Sequence, residues 1–76
     1  MKKEYTTGEI AKLCGVTKRT VQYYDKENIV TPTKMSDGGR RIYTENDLEK
    51  FQLVCLYKDL GLSLHEIKSI LESDNQ

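Results

Sequence analysis

No run of apolar residues approaches the roughly 18 that a membrane span requires, and Met1–Lys2–Lys3–Glu4 leads into no apolar signal segment. A cytoplasmic location without membrane contact is the expectation that follows. Metal and disulfide chemistry are poorly supplied. His65 is the one histidine, and Cys14 and Cys55 lie far apart, outside any C-x-x-C pair, so a zinc site would lack ligands. Both cysteines sit among apolar neighbours, where a buried free thiol is the plainer reading than a redox or metal role. A disulfide would also be out of place in a reducing compartment. No internal repeat, low-complexity tract or linker interrupts the chain. Its 76 residues suffice for a single small core, so one domain over 1–76 is expected. There is no phosphate-cradling glycine loop, and Gly38–Gly39 reads as a hairpin turn. With no metal set and no general base placed in a pocket, neither an enzyme nor a bound cofactor is expected.

What is present fits a folded domain: 37% of residues are hydrophobic and 32% charged. Net charge is zero, which by itself argues against a nucleic-acid partner. The distribution says otherwise. Residues 1–43 carry nine Lys or Arg against five Asp or Glu, or +4, while residues 44–76 carry three against seven, or −4. One half can therefore offer phosphates a basic footprint while the other stays acidic.

Four helices can be read, each from its own start signal. Thr6 stands three before Glu9, the reciprocal capping-box spacing, and Gly15 closes the run after Ile10, Ala11, Leu13 and Cys14. The second begins at Thr17, with Val16 and Val21 at hydrophobic-staple positions, and runs to about Lys26 or Glu27. Two short helices around a glycine turn make a helix-turn-helix pattern. Pro32 then commits the chain to an extended path. Thr33 to Met35 and Arg41 to Tyr43 can pair across the turn residues Ser36, Asp37, Gly38 and Gly39, forming a wing. The third helix opens at Thr44 with Asp47 three later. Its apolar residues Leu48, Phe51, Leu53, Val54, Cys55, Leu56 and Leu60 form a stripe broad enough to predict packing on more than one side. The fourth opens at Ser63 with Glu66 at the capping position and Leu64, Ile67, Ile70 and Leu71 at helical spacing. The predicted fold is mainly α, a winged helix-turn-helix of four helices with a two-stranded β-hairpin wing between the second and third.

On the second helix, Val21 and Tyr24 read as core. Lys18 and Gln22, and likewise Arg19 and Tyr23, are four apart and share an exposed surface. Lys18, Arg19 and Thr20 also occupy the first turn, where backbone N–H groups and the helix dipole favour phosphate. Such a strip can touch both phosphates and base edges, although an ordinary solvated helix face looks much the same. Arg40 and Arg41 at the hairpin tip add a second cationic point. Tyr43 suits packing under the wing at least as well as a phosphate contact. Lys58 suits surface solubility or a further contact.

Thr6 to Gly15 (T-T-G-E-I-A-K-L-C-G) followed by Val16 to Asp25 (V-T-K-R-T-V-Q-Y-Y-D) resembles the opening of MerR-family regulators. So do Gly39–Arg40–Arg41–Ile42–Tyr43 and Leu60–Gly61–Leu62–Ser63–Leu64 with Glu66–Ile67. The resemblance implies a recognition helix in the major groove, with Arg19 and Tyr23 on backbone or nearby bases. It also implies Arg41 and Tyr43 acting from the wing and Lys58 on phosphate near the operator centre. Gln22 stands where the family often has arginine, and Arg40 where an aromatic is common; Gln22 is suited to adenine. The partners implied are double-stranded promoter or operator DNA, a second copy of the full-length chain, and RNA polymerase. Family members pair through a long helix after the fourth and carry an effector domain beyond it, neither of which is visible here. Two other readings compete. One is an excisionase-like architectural DNA-binding protein; the other is a protein-interaction module working through the third and fourth helices.

Overall fold

The computed structural model describes residues 3–73; the first two residues and the end of the polar tail lie outside them. Each helix begins where a side chain satisfies orphan backbone donors. Thr6 Oγ1 accepts from the Glu9 N–H (3.2 Å) and Glu9 Oε1 accepts from the Thr6 N–H (2.9 Å), opening α1 (Thr7–Cys14). Gly15, at φ 69°, ends it in the left-handed conformation that glycine enters without a side-chain penalty. Thr17 caps α2 (Lys18–Lys26). Thr44 and Asp47 form the second complete capping box, opening α3 (Glu45–Asp59). Ser63 and Glu66 exchange the same pair of bonds at 2.8 and 3.1 Å ahead of α4 (Leu64–Ser73).

The hairpin lies between α2 and α3, as expected, with β2 (Lys34–Met35) antiparallel to β3 (Arg41–Thr44). Ser36 closes the turn: its carbonyl accepts from the Gly39 N–H at 2.9 Å and its hydroxyl from the Arg40 N–H at 3.1 Å. Of the two turn glycines only Gly39 takes positive φ, at 80°.

The sheet departs from the two-stranded expectation. A third strand, β1 (Glu4–Tyr5), pairs antiparallel with the other edge of β3, giving the order β1-β3-β2. Tyr5 stands opposite Tyr43, and Glu4 opposite Thr44. Two residues carry no readable alternation, so this strand is set by the partner edge and not by its own sequence. The pairing is reinforced by Tyr5, whose hydroxyl donates to Glu45 at 2.9 Å, and by an ion pair between Lys34 and Glu4.

The core forms where α1 and α2 pack on α3. Ile10, Val21, Val30, Phe51, Val54 and Ile67 are almost completely buried, and the ring of Tyr24 lies 5.2 Å from that of Phe51. Each such side chain contributes about 1.5–3 kcal/mol of hydrophobic stabilisation. The broad stripe expected on α3 is only half used. Leu48, Phe51 and Val54 face the core, whereas Leu56 and Leu60, four apart on another face, are 52% and 67% exposed. Among the described residues no element covers that face of the 15-residue helix. Cys14 and Cys55 are free, half-buried and packed against the core. Desolvation pushes both thiols up, Cys14 to about 11. That favours the neutral thiol, and the two side chains lie near enough to influence each other's titration.

One buried charge organises the junctions. Asp47, 4% exposed, accepts from the Thr33 N–H (3.0 Å), the Thr33 hydroxyl (2.8 Å) and the Thr44 N–H (2.9 Å). Replacing Asp47 by Ala strands these donors and removes half of the α3 capping box. A loss of about 2–4 kcal/mol is expected. Urea unfolding would show it as a lower midpoint at unchanged slope; a loss below about 0.5 kcal/mol would mean that water satisfies those groups as well.

Candidate nucleic-acid interface

Burying Val21 and Tyr24 turns the opposite side of α2 outward, which leaves Lys18, Arg19, Gln22 and Tyr23 exposed. Tyr23 is 47% exposed and its ring lies 6.1 Å from that of Tyr24 at 50°, so the outward phenol is braced by the inward one.

Lys18 lies over the first turn of α1. A methyl group at Gly8 would come within 3.0 Å of Lys18 Cε, so the missing side chain leaves room for the lysine stem. Thr6, Thr7 and Gly8 from the start of α1, Lys18 and Gln22 from α2, and Gly39, Arg40 and Arg41 from the wing line a cleft of about 510 Å³. Three cations and the positive ends of two helices thus meet around one opening, an arrangement suited to an anion.

The structure brings together Lys18, Gln22, Arg40 and Arg41, with Arg19 and Tyr23 on the adjoining surface. Thr20 is committed elsewhere. Its N–H donates to Thr17 Oγ1 (3.2 Å) and to the Thr17 carbonyl (3.1 Å), and its hydroxyl shares a hydrogen bond with that of Thr17 (3.0 Å). It shapes the helix start and does not offer the free first-turn donor expected of it. Lys58 is exposed in the last turn of α3, outside the cleft lining, where its charge complements the helix dipole.

Tyr43 answers the question left open by its sequence context: it is completely buried and packs in the core beneath the wing. A side chain without accessible surface cannot reach a phosphate from there, which corrects its place among the contact residues. Burial foremost, and then the Asp25 carboxylate, push its phenol pKa above the usual value, while Arg41 acts in the opposite direction. Among the described residues its hydroxyl has no partner in hydrogen-bonding geometry, although Thr7 lies near enough to draw the phenol pKa down.

Two features of the site were not visible in the sequence. The start of α1 contributes to the cleft because β1 pins it beside the wing. Asp25, near the end of α2, accepts from Arg41 Nε at 2.5 Å. No spacing rule links residues of a helix and a strand 16 positions apart.

This fold and cleft define the class: a winged helix-turn-helix with a polar, cationic face formed by α2 and the wing. The profile of the MerR HTH family of regulatory proteins matches residues 5–74, and the chain belongs to that family. It is 40% identical over 72 residues to the multidrug-efflux transporter 2 regulator of Bacillus subtilis, covering 95% of this chain and 26% of the regulator. A MerR-family transcriptional regulator from Bacillus cereus superposes with a TM-score of 0.87 at 40% identity, over 90% of this chain and 51% of that one. HiNmlR, a MerR-family regulator lacking the sensor domain and solved bound to promoter DNA, gives 0.84 at 32% identity, over 93% and 54%. The chain therefore spans between about a quarter and about half of these relatives.

Replacing Tyr43 by Phe keeps the ring and removes the orphan hydroxyl. Stability should hold or rise by up to about 1–2 kcal/mol, measured as the thermal midpoint. A fall beyond about 1 kcal/mol would reveal a partner for the hydroxyl.

Proposed function

We propose that the chain binds double-stranded DNA in transcriptional regulation, with α2 entering the major groove and the wing lying along the backbone. The observation that carries this reading is the convergence of Lys18, Gln22, Arg40 and Arg41 on one cleft, with Arg19 and Tyr23 beside it. The roles divide by chemistry. Lys18, Arg19, Arg40 and Arg41 neutralise phosphates, whereas Gln22, which can donate and accept, reads a base edge. Tyr23 presents an amphipathic ring to the sugar-phosphate wall. Lys58, exposed outside the cleft at the end of α3, adds a phosphate contact near the operator centre. In the full-length regulator two copies would set two recognition helices on a two-fold promoter site. Deformation of the intervening DNA is then the route to transcriptional control, with RNA polymerase as the further partner. No catalytic role or bound cofactor is assigned to the domain. Among the described residues, no helix is long and apolar enough to cross a membrane, and we place the protein in the cytoplasm.

A duplex matched in sequence to no particular operator should bind weakly, with Kd of about 10⁻⁴–10⁻⁶ M. Amide NMR shifts on adding such a duplex at low salt should cluster on Lys18 to Tyr23 and on Arg40 and Arg41. Silence at those amides would remove the basis for DNA binding. Under the same conditions, Arg19→Ala should weaken binding to all sequences alike and reduce the salt slope by about one. Gln22→Ala should instead alter preference between sequences, and a uniform loss would show that Gln22 reads no base.

A further inference from the structure

Among the described residues, Arg41 is the one cation of the cleft already engaged within the protein. Its Nε donates to Asp25 Oδ2 at 2.5 Å, and the Asp25 side chain is only 18% exposed whereas that of Arg41 is 50% exposed. The two halves of the pair belong to the recognition helix and the wing, which otherwise share little direct packing. The Nη groups of Arg41 have no hydrogen-bond partner among the described residues, and the side chain lines the cleft with Lys18, Gln22 and Arg40. An arginine held by Nε keeps its outer fork available for a second, planar acceptor.

We propose that Asp25 is a positioning residue for DNA: it holds Arg41 by Nε, orients the Nη edge toward a backbone phosphate, and fixes the wing relative to the recognition helix. The proposal rests on the reading that this face binds DNA, and it assigns a function to a negative charge that phosphate should otherwise avoid. Two effects compete. Coulomb repulsion between Asp25 and DNA weakens binding, but it acts at a distance through water and salt. Pre-ordering a long side chain on which a charge-assisted bond depends strengthens binding, and acts at contact. Because Asp25 is largely shielded by the arginine it holds, the second effect dominates.

The test uses the whole 76-residue chain and a short fluorescein-labelled duplex of mixed sequence, followed by anisotropy through a salt series. Asp25→Asn should bind about three- to tenfold more weakly than wild type although it removes a repulsive charge. Its salt slope should fall by about one, as for Arg41→Ala. In an Arg41→Ala background, Asp25→Asn should cause no further loss, since the two act through one contact. Arg41→Lys keeps the charge but lacks the fork that can join carboxylate and phosphate, and should behave like Asp25→Asn. That variant decides the matter if Asp25→Asn does not fold. Asp25→Asn binding as tightly as wild type or more tightly would overturn the proposal. So would an equal loss with and without Arg41, or an Arg41→Lys variant with wild-type binding. A wild-type chain that binds no duplex at all would overturn the DNA reading as well, which distinguishes that failure from failure of the Asp25 role alone.

Discussion

The Asp47 carboxylate sits where three segments must agree on a position. It receives the backbone and hydroxyl of Thr33 from the loop after α2, the N–H of Thr44 at the end of β3, and it lies within the first turn of α3. A carboxylate so enclosed is tolerable only with its lone pairs occupied, so moving any one segment would leave polar groups stranded. β3 runs directly into α3 without a linker, and the direction of that junction therefore sets the direction of the wing. The placement of Arg40 and Arg41 relative to α2 depends on this junction.

The short β1 strand transmits the same constraint to the other end of the site. It pairs with β3 through Tyr5 and Tyr43, and the Glu45 N–H donates to the Lys3 carbonyl at 3.1 Å. α1 follows β1 after a single residue, so the first turn of α1 cannot move without the wing. The cleft is thus bounded by elements fixed to one strand from both edges, while α2 is held against α1 by core packing. The cationic surface of a chain of zero net charge comes from the +4 excess of residues 1–43, which internal ion pairing leaves unchanged. The acidic residues of the first half are largely occupied in local structure: Glu9 in a cap, Glu4 against Lys34, and Asp25 against Arg41. Lys18 and Arg40 remain facing the opening.

Much of this was legible because helix starts are local chemistry. Thr6 with Glu9, Thr44 with Asp47, and Ser63 with Glu66 each declare a helix within four residues, and all three form as read. The wing was legible from turn residues, although the sheet it belongs to was not, since two residues at the chain's start carry no pattern of their own. The reading failed where the outcome depends on what lies across space. Apolar residues on α3 announce burial, but Leu56 and Leu60 lie on a face that no described element covers. Tyr43 could face either way by composition, and its antiparallel partner Tyr5 and the start of α1 enclose it. Thr20 belongs to a cap whose owner is Thr17. At the site, Lys18, Gln22, Arg40 and Arg41 could be proposed from charge and helical spacing, whereas Asp25 could not, because its significance comes from a partner on another element.

Adjacent residues Tyr23 and Tyr24 show why packing and recognition cannot be separated in a domain this small. A helix turns by about 100° per residue, so neighbours point in quite different directions. Tyr24 enters the core against Phe51, and Tyr23 rests on Tyr24 with its other face in solvent. Phe51 in turn is carried by α3, whose first turn is anchored by Asp47. Contact therefore runs from Phe51 through Tyr24 to the exposed ring of Tyr23. Loosening the core anywhere along it would blur the position of Tyr23 without touching any surface residue. The buried ring of Tyr24 thus lies one layer beneath the exposed ring of Tyr23, and the packing that holds the fold also sets the position of the outward phenol.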